Sequence, residues 1–255
     1  MILDLFALNG RVAVVTGSSK GLGQAIAVAL AEAGADVVAL DRSDTSETSA
    51  QITTLGRRFI SIPCDLSTAG VKDFARIVAQ IIDEMGRLDI LVNNAGIIRR
   101  APVLEFSEAD WDDVLTVDLK AVFFLSQIAA KVMIQQATGG KIINVASMLS
   151  FQGGIRVPSY TAAKSAVAGL TRALANELAS SNINVNAIAP GYMVTDNTAL
   201  LRADKKRSQA ILERIPAGRW GSPDDLKGIA VFLASDAARY MHGAIIPVDG
   251  GWLAR

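Results

Sequence analysis

Tyr160-Thr161-Ala162-Ala163-Lys164 places a phenol and an ammonium four residues apart. On a helix that spacing sets one group above the other, about 6 Å along the axis, so both can serve one pocket. A free tyrosine, with a pKa of about 10, is a poor base at neutral pH, and lowering it by about three units takes about 4 kcal/mol of preferential stabilisation of the phenolate. One ammonium at about 4 Å contributes about that much at an effective dielectric of about 20. The pair is therefore energetically sufficient as an acid/base device. Ser147 stands just past the Val/Ile-rich run Ile142–Val145. At the carboxyl end of a strand its hydroxyl can hold a substrate oxygen facing the phenol, although alone it reads more readily as a turn cap.

A second constellation suits a nucleotide. The run Val12–Val15 leads into Thr16-Gly17-Ser18-Ser19-Lys20-Gly21-Leu22-Gly23 and then an alanine-rich helical segment. Glycines allow a tight exit from a strand and close approach of backbone to a pyrophosphate at a helix N-terminus, where free N–H groups and the dipole favour anions. The spacing is Gly-x-x-x-Gly-x-Gly rather than Gly-x-Gly-x-x-Gly, so the strand before it and the helix after it carry the reading. The run Val37–Leu40 ends at Asp41-Arg42, about 20 residues on, where an acid can accept hydrogen bonds from the adenosine ribose hydroxyls. That acid would repel a 2′-phosphate, whereas Arg42 and Lys20 could pair with one. A carboxylate aimed at the ribose outweighs two mobile cations, so NAD is expected ahead of NADP.

The elements that must position these groups are legible as an alternation. Short runs without polar interruption, Val12–Val15, Val37–Leu40, Phe59–Ile62, Ile90–Val92, Ile142–Val145, Val185–Ile188 and Ala244–Val248, read as strands buried on both faces of a parallel sheet. Between them Leu22–Ala33, Val71–Met85, Trp111–Gln136, Thr161–Ala179 and Asp224–Ala234 are long enough for crossover helices. The prediction is an α/β fold, a single-domain, doubly wound Rossmann-type parallel sheet of about seven strands with helices on both faces, spanning 1–255. The irregular, charged stretch 191–221 follows the sixth strand on the ligand side and reads as a lid or as a solvated surface helix.

Composition narrows the function. In 255 residues, 25 Lys+Arg balance 25 Asp+Glu, which argues against a nucleic-acid binder built on a basic surface. Cys64 is the one cysteine and His242 the one histidine, so no intrachain disulfide or multi-histidine metal site is expected, and no metal. The most apolar stretch, Ala121–Ile134, is shorter than the ~20 residues of a membrane span. The expectation is a soluble, cytoplasmic chain whose proton chemistry runs through Tyr, Lys, Asp or Glu.

Thr16-Gly17-x-x-x-Gly21-x-Gly23, Asn93-Asn94-Ala95-Gly96, Ser147, Tyr160-x-x-x-Lys164 and Pro190-Gly191 stand in the order and spacing of the short-chain dehydrogenases/reductases, and Val248-Asp249-Gly250-Gly251 resembles that family's C-terminal signature. The resemblance covers essentially the whole chain. It implies hydride transfer to or from nicotinamide by a homotetramer. It makes Tyr160 the general acid/base, has Lys164 lower its pKa and bind ribose, and has Ser147 orient the carbonyl or alcohol. It also sets Ser19 and Leu22 of the glycine turn, Asp65 and Leu66, Asn93, Ala95 and Gly96, and Pro190, Gly191, Met193 and Thr195 against the cofactor. One departure stands out: Asp118 occupies the position of the family's usual catalytic-tetrad asparagine. Its backbone role is expected to survive, although its carboxylate would oppose the phenolate if close and ionised.

Substrate choice lies in the loops. Arg99 and Arg100 follow the Asn-Asn-Ala-Gly turn, and Gln152 and Arg156 lie between Ser147 and Tyr160. Guanidinium groups bind carboxylates bidentately and Gln152 can bond hydroxyls, which suggests a small sugar acid; equally, each arginine could pair with an acid nearby. These loops and Gly250–Arg255 resemble the family's sugar-acid 5-dehydrogenases. That implies exchange of hydride between NAD(H) and C5 of 2-dehydro-3-deoxy-D-gluconate, with gluconate itself as the nearest alternative. A 3-oxoacyl-carrier-protein reductase and a non-catalytic dinucleotide sensor are the other readings.

Overall fold

The seven Val/Ile-rich runs form one sheet because each offers apolar side chains to both of its faces. The computed structural model describes all 255 residues. Its strands are β1 (Val12–Thr16), β2 (Asp36–Asp41), β3 (Phe59–Pro63), β4 (Ile90–Asn93), β5 (Gly140–Val145), β6 (Ile183–Pro190) and β7 (Ile245–Val248). They are all parallel, in the order β3-β2-β1-β4-β5-β6-β7. The helices are α1 (Gly21–Glu32), α2 (Ser46–Thr54), α3 (Val71–Met85), α4 (Glu108–Leu115), α5 (Ala121–Gln136), α6 (Pro158–Leu178), α7 (Ala199–Ala203), α8 (Lys205–Arg214) and α9 (Lys227–Ala234). None is long and apolar enough to cross a membrane.

Alternation along β1 divides the core. Ala13 and Val15 pack with Ile26 and Leu30 of α1, Ile52 of α2 and Leu233 of α9. Val12 and Val14 face the other way, onto Phe74 and Val78 of α3 and Leu125 and Met133 of α5, as the two-residue period of a strand requires. Between β1 and β4 the winding reverses direction, so the crossovers leave a crevice at the carboxyl ends of those strands. The glycine turn after β1, Asp41 at the end of β2 and the Asn94–Gly96 turn after β4 all meet there.

Three local differences from the sequence expectation have physical causes. The segment expected as one crossover over Trp111–Gln136 is two helices, α4 and α5, joined by a π-helical turn over Thr116–Lys120 in which the Ala121 N–H reaches back to the Thr116 carbonyl. The widened turn carries Asp118 fully inside the protein, and such turns cluster at functional sites. Helix α2 went unforeseen because it buries only Thr48 and Ile52 and shows no apolar stripe. The stretch 191–221 contains a 3-10 turn at Asp196–Thr198, then α7 and α8.

Candidate active site

Glycine at the β1–α1 turn is enforced by crowding. Gly17 and Gly21 have φ of +65° and +60°. A Cβ on Gly17 would stand 2.9 Å from the Ala95 Cα, and one on Gly23 would stand 2.0 Å from the Gly17 carbonyl oxygen. The Asn94 amide donates to the Thr16 and Gly17 carbonyls, both at 2.9 Å, while the Thr16 hydroxyl accepts from the Asn94 and Ala95 N–H groups. These bonds lock the turn to the end of β4. The first N–H groups of α1, without helical partners, open into a cavity of about 490 Å³ that also reaches Asp41, Arg42, Asp65, Leu66 and Gly96.

At the far end of this cleft, Asp41 is buried and fixed, accepting from the Ser19 N–H at 2.8 Å and the Ser43 N–H at 2.9 Å. Both cations that would favour a 2′-phosphate already face acids: Arg42 lies 3.7 Å from Asp65, and Lys20 lies 2.6 Å from Asp196. Hydrogen bonds from the Ser67 N–H and hydroxyl, with help from Arg42, hold the Asp65 carboxyl below its ordinary pKa. A bare glycine surface at a helix N-terminus, followed by a fixed carboxylate, fits a dinucleotide.

Tyr160 stands where this cleft meets a second cavity. Pro158 starts α6, a position where a missing N–H costs nothing, and the first turn carries the phenol over the lysine. The Lys164 ammonium is buried, 5.5 Å from the Tyr160 ring centroid, and donates to the Val145 carbonyl at 3.0 Å. Asp118 lies 3.2 Å from it and accepts from the Ile97 N–H at 2.8 Å. A Cβ on Gly96 would meet this pair, 2.9 Å from the Asp118 Oδ2 and 3.4 Å from the Lys164 Nζ. Ser147 caps a short turn by accepting from the Leu149 N–H at 3.1 Å, and it lines the second cavity together with Tyr160.

The electrostatics correct the expectation for the phenol. Burial raises the Tyr160 pKa, and the opposing pull of Lys164, joined by Ser147 and Arg100, does not overcome it because Asp118 pushes the other way. One ammonium does not outweigh the desolvation of a phenolate buried in the finished fold. Burial also opposes charge on Lys164, but Asp118 and Tyr160 together raise its pKa. Burial raises the Asp118 carboxyl against the pull of Lys164 and the Ile97 N–H. The protein alone therefore presents a protonated phenol beside a firmly charged lysine.

The second cavity, about 910 Å³, opens from Ser147 and Tyr160 towards the 191–221 segment. Its charged lining residues are Arg100, Arg156, Arg207 and Arg214, and no carboxylate lines it. Such a pocket suits an anionic substrate with an oxygen at the serine and phenol.

A family model described as enoyl-(acyl carrier protein) reductase matches residues 17–253. Enzymes named 2-dehydro-3-deoxy-D-gluconate 5-dehydrogenase from Dickeya dadantii and Escherichia coli are each 60% identical over all of both chains. The chain belongs to the short-chain dehydrogenase/reductase family. A solved structure from Agrobacterium tumefaciens with bound NADP is 57% identical, with a TM-score of 0.92 over 99% of this chain and 100% of that one.

The residues of the short-chain dehydrogenase pattern are distributed over the two cavities and their surroundings. Asn93 is buried at the end of β4, and its side-chain amide donates to Asn144 at 2.8 Å and Ser126 at 2.9 Å. Its neighbour Asn94, on the opposite face of the strand end, holds the turn. Arg99 lies outside both cavities, 2.5 Å from Asp113 and 3.4 Å from Asp110. Pro190, Gly191 and Met193 line the second cavity, while Leu22 and Thr195 line both, at the junction where the two cavities meet. Gln152 and Arg156 line the second cavity, as does Arg100, which donates to the Asn197 carbonyl at 2.8 Å. The sequence reading missed Arg207, Arg214 and Trp252 as cavity residues. The signal for α8 was available in the spacing of Arg207, Ala210, Ile211 and Arg214, which puts them on one helical face.

Proposed function

We propose that the protein is an NAD(H)-dependent dehydrogenase that interconverts 2-dehydro-3-deoxy-D-gluconate and its 2,5-diketo form. The observation that carries this reading is the joining of Ser147, Tyr160 and Lys164 to a cavity whose charged lining is all arginine. The full-length identity to enzymes of that name supports the substrate assignment. The dinucleotide, when bound, supplies the two-electron acceptor or donor at its nicotinamide. Ser147 holds the C5 oxygen, Tyr160 takes the hydroxyl proton in oxidation and returns it in reduction, and Lys164 stabilises the phenolate and meets the ribose. The 191–221 segment, built over the cavity by α7 and α8, closes on the substrate as a lid. A cytoplasmic homotetramer is the assembly this reading carries with it.

The test is absorbance at 340 nm with NADH or NADPH and a panel of keto acids. The expected result is highest kcat/KM with the 2,5-diketo acid and NADH. A higher value with 5-dehydrogluconate would make the enzyme a gluconate 5-dehydrogenase. Preference for an acetoacetyl thioester with NADPH would move it to acyl-chain reduction, and dinucleotide binding without any turnover would leave a sensor.

Cofactor choice rests on Asp41. Its carboxylate is fixed by Ser19 and Ser43 in the cleft beside the glycine turn, where it would face the adenosine ribose, and both nearby cations are paired. Asp41→Asn keeps the shape and removes the charge that repels a 2′-phosphate. The NADPH-to-NADH ratio of kcat/KM is expected to rise by about tenfold, the equivalent of about 1.4 kcal/mol. An unchanged ratio would mean that Asp41 does not set the choice.

A further inference from the structure

Four guanidiniums face the substrate cavity, and they are held very differently. Arg100 is already engaged by the Asn197 carbonyl at 2.8 Å. Arg156 is exposed, sits at φ +65° and has no side-chain hydrogen bond or ion pair. Arg214 is built in. It comes from the last turn of α8, where Ile211 is buried with Met148, Ile215 and Trp252 and anchors the helix. Its guanidinium carbon lies 4.0 Å from the Trp252 ring centroid, and one nitrogen donates to the Gln152 Oε1 at 3.4 Å. The Trp252 Nε1 donates to that same oxygen at 3.2 Å. Gln152, Trp252 and Arg214 thus form a closed triangle that fixes the guanidinium plane.

The rest of the surroundings hold the triangle in place. Tyr192 meets Trp252 edge-on with ring centroids 4.8 Å apart, and Arg207 stands about two turns before Arg214 on the same face of α8. Arg255 donates to the Glu213 carbonyl at 2.8 Å and ties the C-terminus to the same helix. No carboxylate lies within ion-pairing distance of Arg207 or Arg214. A guanidinium has five N–H donors, and Arg214 uses one of them on Gln152. A planar donor fork that is stacked, oriented and left without an acid is pre-organised for a carboxylate, since little freedom remains to be lost on binding.

We propose that Arg214, with Arg207 as a second arm, is the receptor for the substrate carboxylate, and that Trp252 and Gln152 are its positioning residues. The proposal rests on the sugar-acid reading above and deepens it. The helix that covers the cavity then carries the residue that senses the acid end of the substrate, so specificity and closure reside in one element. Lactones, esters and polyols of the same carbon skeleton lack the anion that engages it.

The test separates affinity from chemistry. Arg214→Met keeps an unbranched apolar side chain over Trp252 and removes the charge; Arg214→Lys restores a point charge without the fork. With the 2,5-diketo acid and NADH, Arg214→Met is expected to raise KM by about 10- to 100-fold with kcat changed far less, and Arg214→Lys to recover part of the loss. With the uncharged C1 amide of the same substrate, wild type and Arg214→Met are expected to have similar KM values, which a merely structural role would not produce. Calorimetric titration of D-gluconate into the NADH complex reads the receptor without turnover, so it stands even if wild type proves inactive on the diketo acid. Loss of gluconate binding in Arg214→Met with NADH affinity and melting temperature retained supports the receptor. Equal gluconate affinity, or an equal KM penalty on acid and amide, overturns it.

Discussion

Tyr160→Phe is expected to lower kcat by about 10³-fold in both directions, within the range that a positioned acid/base contributes, while the protein folds and binds NADH as before. The phenol ring fills the junction of the two cavities, and phenylalanine keeps that volume, so only the hydroxyl is lost. Its loss removes the proton acceptor for oxidation and the donor for reduction; Lys164, buried beneath the ring and directed at Val145 and Asp118, cannot substitute. The pH profile of wild type follows from the direction of the phenol's shift. Burial holds it protonated in the free protein, which suits reduction, so reduction falls as pH rises through the phenol's pKa. Oxidation needs the phenolate and rises with pH over the same interval. Single-turnover absorbance at 340 nm with saturating dinucleotide checks the loss. Undiminished turnover of a folded, NADH-loaded Phe variant would remove Tyr160 from the mechanism.

What could be read from the sequence, and what could not, divides along a physical line. The strands were legible because parallel strands buried on both faces leave continuous Val/Ile runs, and all seven fall where those runs are. The glycine turn was legible because Gly17 and Gly23 stand where no Cβ fits. Contacts fixed by tertiary packing were not legible. Asn93 and Asn94 are adjacent and identical in type, and only the sheet decides that one is buried beside Asn144 and the other clamps the turn. Arg99 and Arg100 are likewise adjacent, yet one pairs with the acids of α4 and the other reaches Asn197. Nor could spacing price the desolvation of Tyr160, because burial belongs to the finished fold.

Lys164→Met should cost both activity and stability, and the two losses should separate when Asp118 is changed as well. Without the ammonium, the Asp118 carboxylate keeps one bond, from the Ile97 N–H at 2.8 Å, and is otherwise enclosed. Stranding one member of a buried pair costs about 3–5 kcal/mol, or about 10 °C in melting temperature for a chain of this size. Burial already raises the Asp118 pKa, and removing Lys164 raises it further. The folded form then binds a proton more tightly than the unfolded one, so the loss is full above the raised pKa and shrinks as pH falls through it. In the double variant Asp118→Asn/Lys164→Met no stranded charge remains, and melting is expected to return close to wild type while turnover stays about 10²- to 10⁴-fold down. Asp118→Asn alone should remain active and shift the pH profile of oxidation towards acid, because a negative charge next to the lysine no longer opposes the phenolate. Thermal melts of the three variants across pH, with kcat profiles beside them, test the scheme. If the double variant melts as low as Lys164→Met, the lysine stabilises the fold by something other than its pairing with Asp118; if Asp118→Asn leaves the profile where it was, the carboxylate does not act on the phenol; and if it raises kcat by orders of magnitude, Asp118 is not a tolerated replacement for the family's usual asparagine.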